Sequence, residues 1–298
     1  MKAATLTVQM GVRRPAAKSR LTGLRIRTAA GLALIGFIVL AAAVGPVLSP
    51  HDPLRQDLGR RLQPPAWVAG GDPAHPLGTD QLGRDVLARL LYGARTSLTV
   101  GLGAVVISGT AGTLLGLAAG YFGGLADRVI MRLADIQFSF PFILLVITLI
   151  AVLGPGLPSV ILALSVGGWA TYARVVRAQV LALKGREFVE AARCLGARSF
   201  EILGRHIFPG TVGPLSVIGT YSVGQMMVFA AALDFLGLGV QPPTPAWGGM
   251  LADGLVYLDS AWWLNLFPGV ALVVTVLGLN LVGDAIRAAA DPRLRRNF

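Results

Sequence analysis

The chain is poor in charge. Of its 298 residues only 14% are Asp, Glu, Lys or Arg, where a soluble domain carries about a quarter. The deficit is gathered into several long uncharged runs, and 54% of the residues are hydrophobic. That is the pattern of a polytopic membrane protein. A single cysteine, Cys194, excludes an internal disulfide, and the three histidines, His51, His75 and His206, are too scattered to give a metal-ligand spacing. No GxxxxGK[ST] occurs, so the chain does not hold ATP in a P-loop. The apolar cores also lack ionisable groups; Asp234, Asp259 and Asp284 fall at or beyond their ends. This weakens a proton-coupled carrier, whose relay needs acids or histidines at depth. An intramembrane protease is weakened too, because no Ser/His or paired-Asp arrangement lies there. The net charge of +11 raises nucleic acid as a partner, yet the basic residues flank apolar runs instead of striping a soluble surface.

What is present is a series of six apolar runs, which predicts an all-α protein with six transmembrane helices. Ala29 to Leu48 is the first. It is longer than the roughly 7–15 residues of a signal-peptide core and stops at Gly45-Pro46, which favours a retained span over a cleaved leader. Residues 50–94 are polar and proline-broken, then amphipathic, with Val86, Leu87, Leu90 and Leu91 at helical spacing. This helix either lies at the mouth of a pore or merely orients the next span. Leu98 to Phe122 is the second span. Gly112, Gly116 and Gly120 share one of its faces, which reads as a seam against another helix, since small residues let backbones approach in lipid. A short loop over 121–135 leads to a third span, Ile136 to Leu153. The turn at Gly154–Pro158 then makes a fourth span, Pro158 to Ala173, antiparallel to it. Thr211 to Leu233 is the fifth, an irregular Gly/Pro-rich stretch covers 234–260, and Ala261 to Gly283 is the sixth. The polar groups within the spans are mild: Gln137, Ser165, Thr171, Ser222, Gln225, Thr275 and Asn280. Of these residues and their neighbours, Gln225, Met226 and Asn280 are candidates for lining a pore.

With the N-terminus in the cytoplasm, the cytoplasmic segments 1–28, 121–135, 174–210 and 284–298 hold 20 of the 26 Lys/Arg. That bias matches the positive-inside rule and places both termini in the cytoplasm. It divides the chain into a basic arm (1–28), a first span with an extracytoplasmic segment (29–94), a five-span core (95–287) and a tail (288–298).

The segment from Glu187 to Pro209, EFVEAARCLGARSFEILGRHIFP, is polar and helix-forming between two spans, so it belongs at a surface. Phe188, Ala191, Ala192 and Leu195 form a stripe at i, i+3, i+4 and i+7. Gly196 permits a turn, Ser199 is placed to cap a second helix carrying Phe200, Leu203 and Ile207, and Pro209 ends it. Either this pair of helices is a knob that docks on a partner, or it lies flat at the headgroups.

EAARCLG at 190–196 followed by HIFP at 206–209 resembles the EAA motif of ABC importer permeases. HPLGTDQLGRDVLARLLYGARTSL (75–98), AGYFGG (119–124), AVLGPG (151–156), FLGLGVQPPTPAWG (235–248) and DPRLR (291–295) are similar to the second permease subunit of dipeptide, oligopeptide or nickel importers. The resemblance covers about residues 25–295 and implies a type I importer permease in a bacterial inner membrane. It implies a heterodimer with a homologous permease, two ATPase subunits and an extracytoplasmic solute-binding protein. It further implies that the segment 187–209 couples to the ATPases, through Glu187, Glu190, Ala191, Ala192, Gly196, His206, Phe208 and Pro209. ATP and Mg²⁺ would be used by those partners, with no cofactor or metal held by this chain and no catalytic residue. Peptides are the expected solute; nickel or another small solute is the alternative. A secondary carrier or channel, and a structural or signalling membrane protein, are the other classes. Two positions depart from the family pattern, Ala230 where an acid is frequent and Asp234 where serine is.

Overall fold

The computed structural model describes residues 17–290, so the basic arm up to residue 16 and the DPRLR tail lie outside the described residues. Among the described residues there are ten α-helices: α1 (Ala17–Leu48), α2 (Val86–Phe122), α3 (Gly124–Phe138), α4 (Phe142–Leu153), α5 (Leu157–Leu183), α6 (Glu187–Cys194), α7 (Ser199–Glu201), α8 (Phe208–Phe235), α9 (Trp247–Gly254) and α10 (Trp263–Ala290). Five stretches are long and apolar enough to cross a membrane, and the bent pair α3–α4 makes a sixth.

α2 shows how local chemistry sets an element. Asp85 has an extended backbone and its carboxylate accepts from the Ala88 N–H at 2.7 Å, a helix N-cap. At the far end Gly123, at φ +65°, terminates the helix. Between them run 37 residues, a length of about 55 Å, against a hydrocarbon layer of about 30 Å. The helix therefore projects well beyond the apolar layer. The amphipathic stretch and the second span are one continuous rod, so the expected boundary at residue 95 cuts a helix. α1 likewise begins at Ala17 and runs through residue 28 without a break.

Two further expectations are corrected. Residues 121–135, read as a loop, instead belong mostly to helix α3, and the span read over Ile136–Leu153 is broken, with a bend of 96° between α3 and α4. Pro141 is the cause: it has no N–H to donate, and it disfavours helical geometry at Phe140 before it. The Gly/Pro-rich stretch 234–260 contains α9. Its three glycines disfavour a helix, but the indole of Trp247 donates to the Leu90 carbonyl at 2.9 Å, and Gly248 allows contact with α8 where a Cβ would meet Ala231 Cα at 2.5 Å. Tertiary packing holds this helix in place.

α2 packs most extensively against α5, and α8 lies against α10 and α2. At one end of the bundle the 49–85 segment and α9 form a polar cap. There the buried Asp80 carboxylate accepts the N–H groups of Leu82 and Arg84 at 2.8 and 2.9 Å, and pairs with the guanidiniums of Arg84 and Arg89. α6 and α7 occupy the opposite end, beside the foot of α5.

Candidate functional site

The first part of the site is the segment from Glu187 to Pro209. Glu187 and Glu190 lie in the first turn of α6, where carboxylates suit the positive end of the helix. The helix closes with a Schellman turn: the Ala197 N–H donates to Ala192 O at 3.1 Å and the Gly196 N–H to Arg193 O at 3.0 Å. That turn needs Gly196 at φ +84°. Val189 and Ala192 are buried, and Val189 joins Ile202, Leu203 and Ile207 in a cluster with Val176 and Val180 of α5. The expected stripe is thus divided. Ala192 is buried, whereas Phe188, Ala191 and Leu195 point outward, and Leu195 is 88% exposed. Phe200, 82% exposed, is a further apolar ring left uncovered by this chain.

Ser199 does not cap the second helix. Arg198 holds the cap position without a side-chain bond, and Ser199 is the first helical residue. Nor does Pro209 stop the chain. A π-helical turn over Ile202–Ile207 passes directly into α8, with Pro209 in its first turn, where a missing N–H is tolerated. His206 is half-buried and 6.5 Å from the Phe188 ring, while Phe208 and Pro209 are exposed.

The second part is a cavity of about 270 Å³ inside the bundle, walled by the α3–α4 bend, by Gly167 to Tyr172 of α5 and by Ser222 to Phe229 of α8. Non-helical backbone at membrane depth is tolerated where it is buried in protein or lines a cavity, and the 139–141 break does so here through Phe140. Glycine keeps the space open: a Cβ on Gly167 would lie 2.6 Å from the Phe142 ring. Ser165 and Thr275 turn back onto carbonyls of their own helices at 2.6 and 2.7 Å. Gln137, Thr171, Ser222 and Gln225 instead converge on the cavity, with the Gln137 amide donating to Gly167 O. Gln225 and Met226 both line it, though Met226 is only 4% exposed and shared with the core. Asn280, on α10, is half-buried and is not part of this wall.

α2 and α5 meet along the three glycines. A Cβ on Gly112 would lie 2.3 Å from Trp169 O, one on Gly116 2.6 Å from Ala173 O, and one on Gly120 2.6 Å from Val180 Cβ. At the α6 end, Arg177 pairs with both oxygens of Asp127, at 2.7 Å for Nη2–Oδ2, and Arg174 pairs with Asp135 while covering the Phe138 ring. α3 is thereby tied to α5.

Sequence reasoning also kept the histidines apart. The fold brings the His51 and His75 rings to 4.6 Å in the cap. Nothing in the local sequence signals that approach, because it is made by the loop between them.

A bundle of six spans with a broken third span and a surface knob between the fourth and fifth defines a membrane transport subunit, and the known proteins similar to this chain say which kind. Residues 112–296 match the model of the binding-protein-dependent transport system inner membrane component, and residues 29–65 match the N-terminal TM domain of oligopeptide transport permease C. The chain belongs to the binding-protein-dependent transport system inner membrane component family. It is 44% identical over 265 residues to the di/tripeptide transport system permease protein DppC of Pseudomonas aeruginosa (89% of this chain, 88% of that one). It is 45% identical over 266 residues to the dipeptide transport system permease protein DppC of Escherichia coli K12 (89% of each). To the glutathione transport system permease protein GsiD of Pectobacterium atrosepticum it is 44% identical over 226 residues (76% and 75%). A chain of the MetNI methionine ABC transporter, in an inward-facing conformation, shares the fold with a TM-score of 0.56 at 23% identity, over 68% of this chain and 96% of that one. This is a multi-pass inner-membrane permease subunit of an ABC importer, not an enzyme. Such a permease works with a partner permease, ATPase subunits and a solute-binding protein.

Proposed function

We propose that this chain is one of two permease chains in an importer of di- and oligopeptides, pairing with a homologous permease and driven by two ATPase subunits that bind ATP and Mg²⁺. The observation that carries the solute is the identity of 44–45% with dipeptide and di/tripeptide permeases over nearly nine-tenths of the chain. The cavity suits that reading, since its wall is aromatic and amide-bearing and carries no fixed charge. Both termini are cytoplasmic in this reading, which the distribution of Lys and Arg supports, and the cap end receives solute from the binding protein. The basic arm, the first span with its cap segment, the permease core and the tail remain our division of the chain, with the core boundary moved from residue 95 to Val86.

The Glu187–Pro209 segment docks on an ATPase. Phe188, Leu195 and Phe200 offer the apolar contact, Glu187 and Glu190 the charged rim, and Gly196 the turn that shapes the knob. His206, Phe208 and Pro209 link the knob to α8. ATP binding draws the ATPases together, and the knobs swing the spans between inward- and outward-open states. The two states differ in how they hold nucleotide, so the bias comes from the partner subunits. Gly112, Gly116 and Gly120 keep α2 and α5 moving together, and Gln225 and Met226 line the path of the solute, with Asn280 further along α10.

The test is uptake of a labelled dipeptide by proteoliposomes holding the full importer. Glu190→Lys and Gly196→Pro should abolish uptake while the permease pair still assembles in the membrane. Uptake at the unmodified rate by both variants would sink the docking role. Competition by unlabelled dipeptide, glutathione and Ni²⁺ then ranks the solutes, and a protein that only Ni²⁺ inhibits is not a peptide permease.

A further inference from the structure

The cap contains a cluster of donors that the transport reading leaves unused. His51 follows the end of α1, His75 lies in the loop before α2, and Asp85 caps α2. Each offers a ligand atom, and these atoms all lie within 4.8 Å of one another. His75 and Asp85 are buried and His51 is half-buried. The Asp85 carboxylate is held from two sides, by the Ala88 N–H at 2.7 Å and by His75 Nδ1 at 2.9 Å. His51 Nδ1 is shielded from solvent and has no hydrogen-bond partner. A buried polar atom left unpaired is uncompensated desolvation, and such atoms in folded proteins call for an explanation.

We propose that His51, His75 and Asp85 form a binding site for a divalent transition-metal ion of borderline softness, with Zn²⁺ as its reference ligand. Two imidazoles and one carboxylate are the donor set such ions take with three protein ligands, whereas Ca²⁺ and Mg²⁺ favour oxygen alone. Bonds of about 2.0–2.1 Å to a tetrahedral ion put donor atoms about 3.3 Å apart. To reach that size the widest pair need move in by only about 1.5 Å. The fourth position opens onto a cavity of about 190 Å³ that Asp52 and Asp57 also line. Arg60, on the same wall, is neutralised by Asp57 and Asp72. The bound ion joins the turn after α1 to the N-cap of α2 and to the loop between them. It stiffens the cap without touching the solute path, so it stands whether or not the solute is a peptide.

The assembled importer, stripped with EDTA and desalted, is equilibrated with Zn²⁺ alone and the bound metal measured after gel filtration. Wild type should retain one equivalent more than His51→Gln and His75→Gln, and Zn²⁺ should raise the melting temperature of wild type only. Equal retention by all three proteins overturns the proposal. A cysteine replacement covers the case in which a glutamine variant fails to assemble. Loaded with Co²⁺, His51→Cys should show a thiolate-to-metal charge-transfer band in the near ultraviolet that wild type lacks. Absence of that band from assembled His51→Cys also overturns it.

Discussion

Replacing Gly112 by alanine adds a single methyl group, and the structure sets two opposing effects against each other. Alanine is the better helix former by about 1 kcal/mol. Its Cβ, however, would lie 2.3 Å from the Trp169 carbonyl oxygen and 2.6 Å from Tyr172 Cβ. The first of these is backbone inside helix α5, so no rotamer change relieves it. The helices must part by about 1 Å to restore ordinary contact, and a gap of that order forfeits a quarter to a half of each dispersion contact along the seam. Overpacking of this kind costs about 1–3 kcal/mol; a 2.3 Å approach to backbone belongs to the upper part of that range, so after the propensity gain Gly112→Ala should destabilise by up to about 2 kcal/mol. Gly116→Ala meets Ala173 O at 2.6 Å and should behave alike. Because one separation of the helices relieves both clashes, the double variant should cost less than the sum of the singles. Gly109 is the control. Its nearest neighbour is 3.6 Å away on the Tyr172 ring, so Gly109→Ala should match or exceed wild type in stability. The assay is thermal denaturation of the assembled importer in detergent, followed by size-exclusion chromatography. A Gly112→Ala protein as stable as wild type, or a Gly109→Ala protein that falls equally far, would refute the reasoning.

Asp80→Asn should remove the buried one of two carboxylates that face the buried Arg84 and Arg89, leaving them only the 42% exposed Asp253 at 3.6 and 3.4 Å. Breaking one partner of such a cluster costs about 3–5 kcal/mol, read as proteolysis of the 49–85 segment in a chain whose spans stay intact; an uncleaved cap would contradict it. The Arg177–Asp127 pair is partly solvated, at 33% and 22% side-chain exposure, so Arg177→Met should cost only about 1 kcal/mol or less. A double-mutant cycle with Asp127→Asn should return a small favourable coupling, and zero coupling would remove the pair from the account of how α3 is held.

The six spans were legible because burial in lipid leaves a coarse signal, about twenty apolar residues in sequence. The Glu187–Pro209 segment was legible for the opposite reason: glutamates and arginines between two spans have nowhere to go but a surface. What stayed hidden was decided by contacts between distant residues. The hydropathy of Ile136 to Leu153 is that of a straight span, and only Pro141 hints at the break; the sense of the bend comes from α5 and α8, which enclose it. α9 has weak local propensity and exists because Trp247 reaches Leu90. The stripe on α6 was placed at the right period, but which part faces inward depends on Val176 and Val180, residues of another helix. The cavity belongs to three helices at once, so no single run of sequence could announce it. Gln225 and Met226 were found because polar and soft groups are rare at that depth. The same criterion chose Asn280, which fell elsewhere, since rarity says that a residue matters and not where it faces.

The packing also constrains how a pull on α6 reaches the cavity, if α6 is where an ATPase holds the chain. Two routes leave the knob. One runs through Val189, Ile202 and Ile207 to Val176 and Val180 of α5. α5 is in turn locked to α2 by backbone-to-backbone approach at the glycines, and to α3 by two ion pairs. Contacts between backbones have no rotamers to absorb strain, so α2 and α5 respond as a stiff unit, with α3 held to it more loosely. The other route runs through the π turn into α8, whose first half carries Pro209 and Pro214. Pro214, inside the helix, removes a hydrogen-bond donor, and the π turn has already loosened the ladder, so this route yields under load. The cavity lies between the two, with Gly167 to Tyr172 on the stiff side and Ser222 to Phe229 on the compliant one. A displacement of the knob therefore changes the distance between Gln137 and Gln225 more readily than that between Gln137 and Thr171, and the cavity opens along α8.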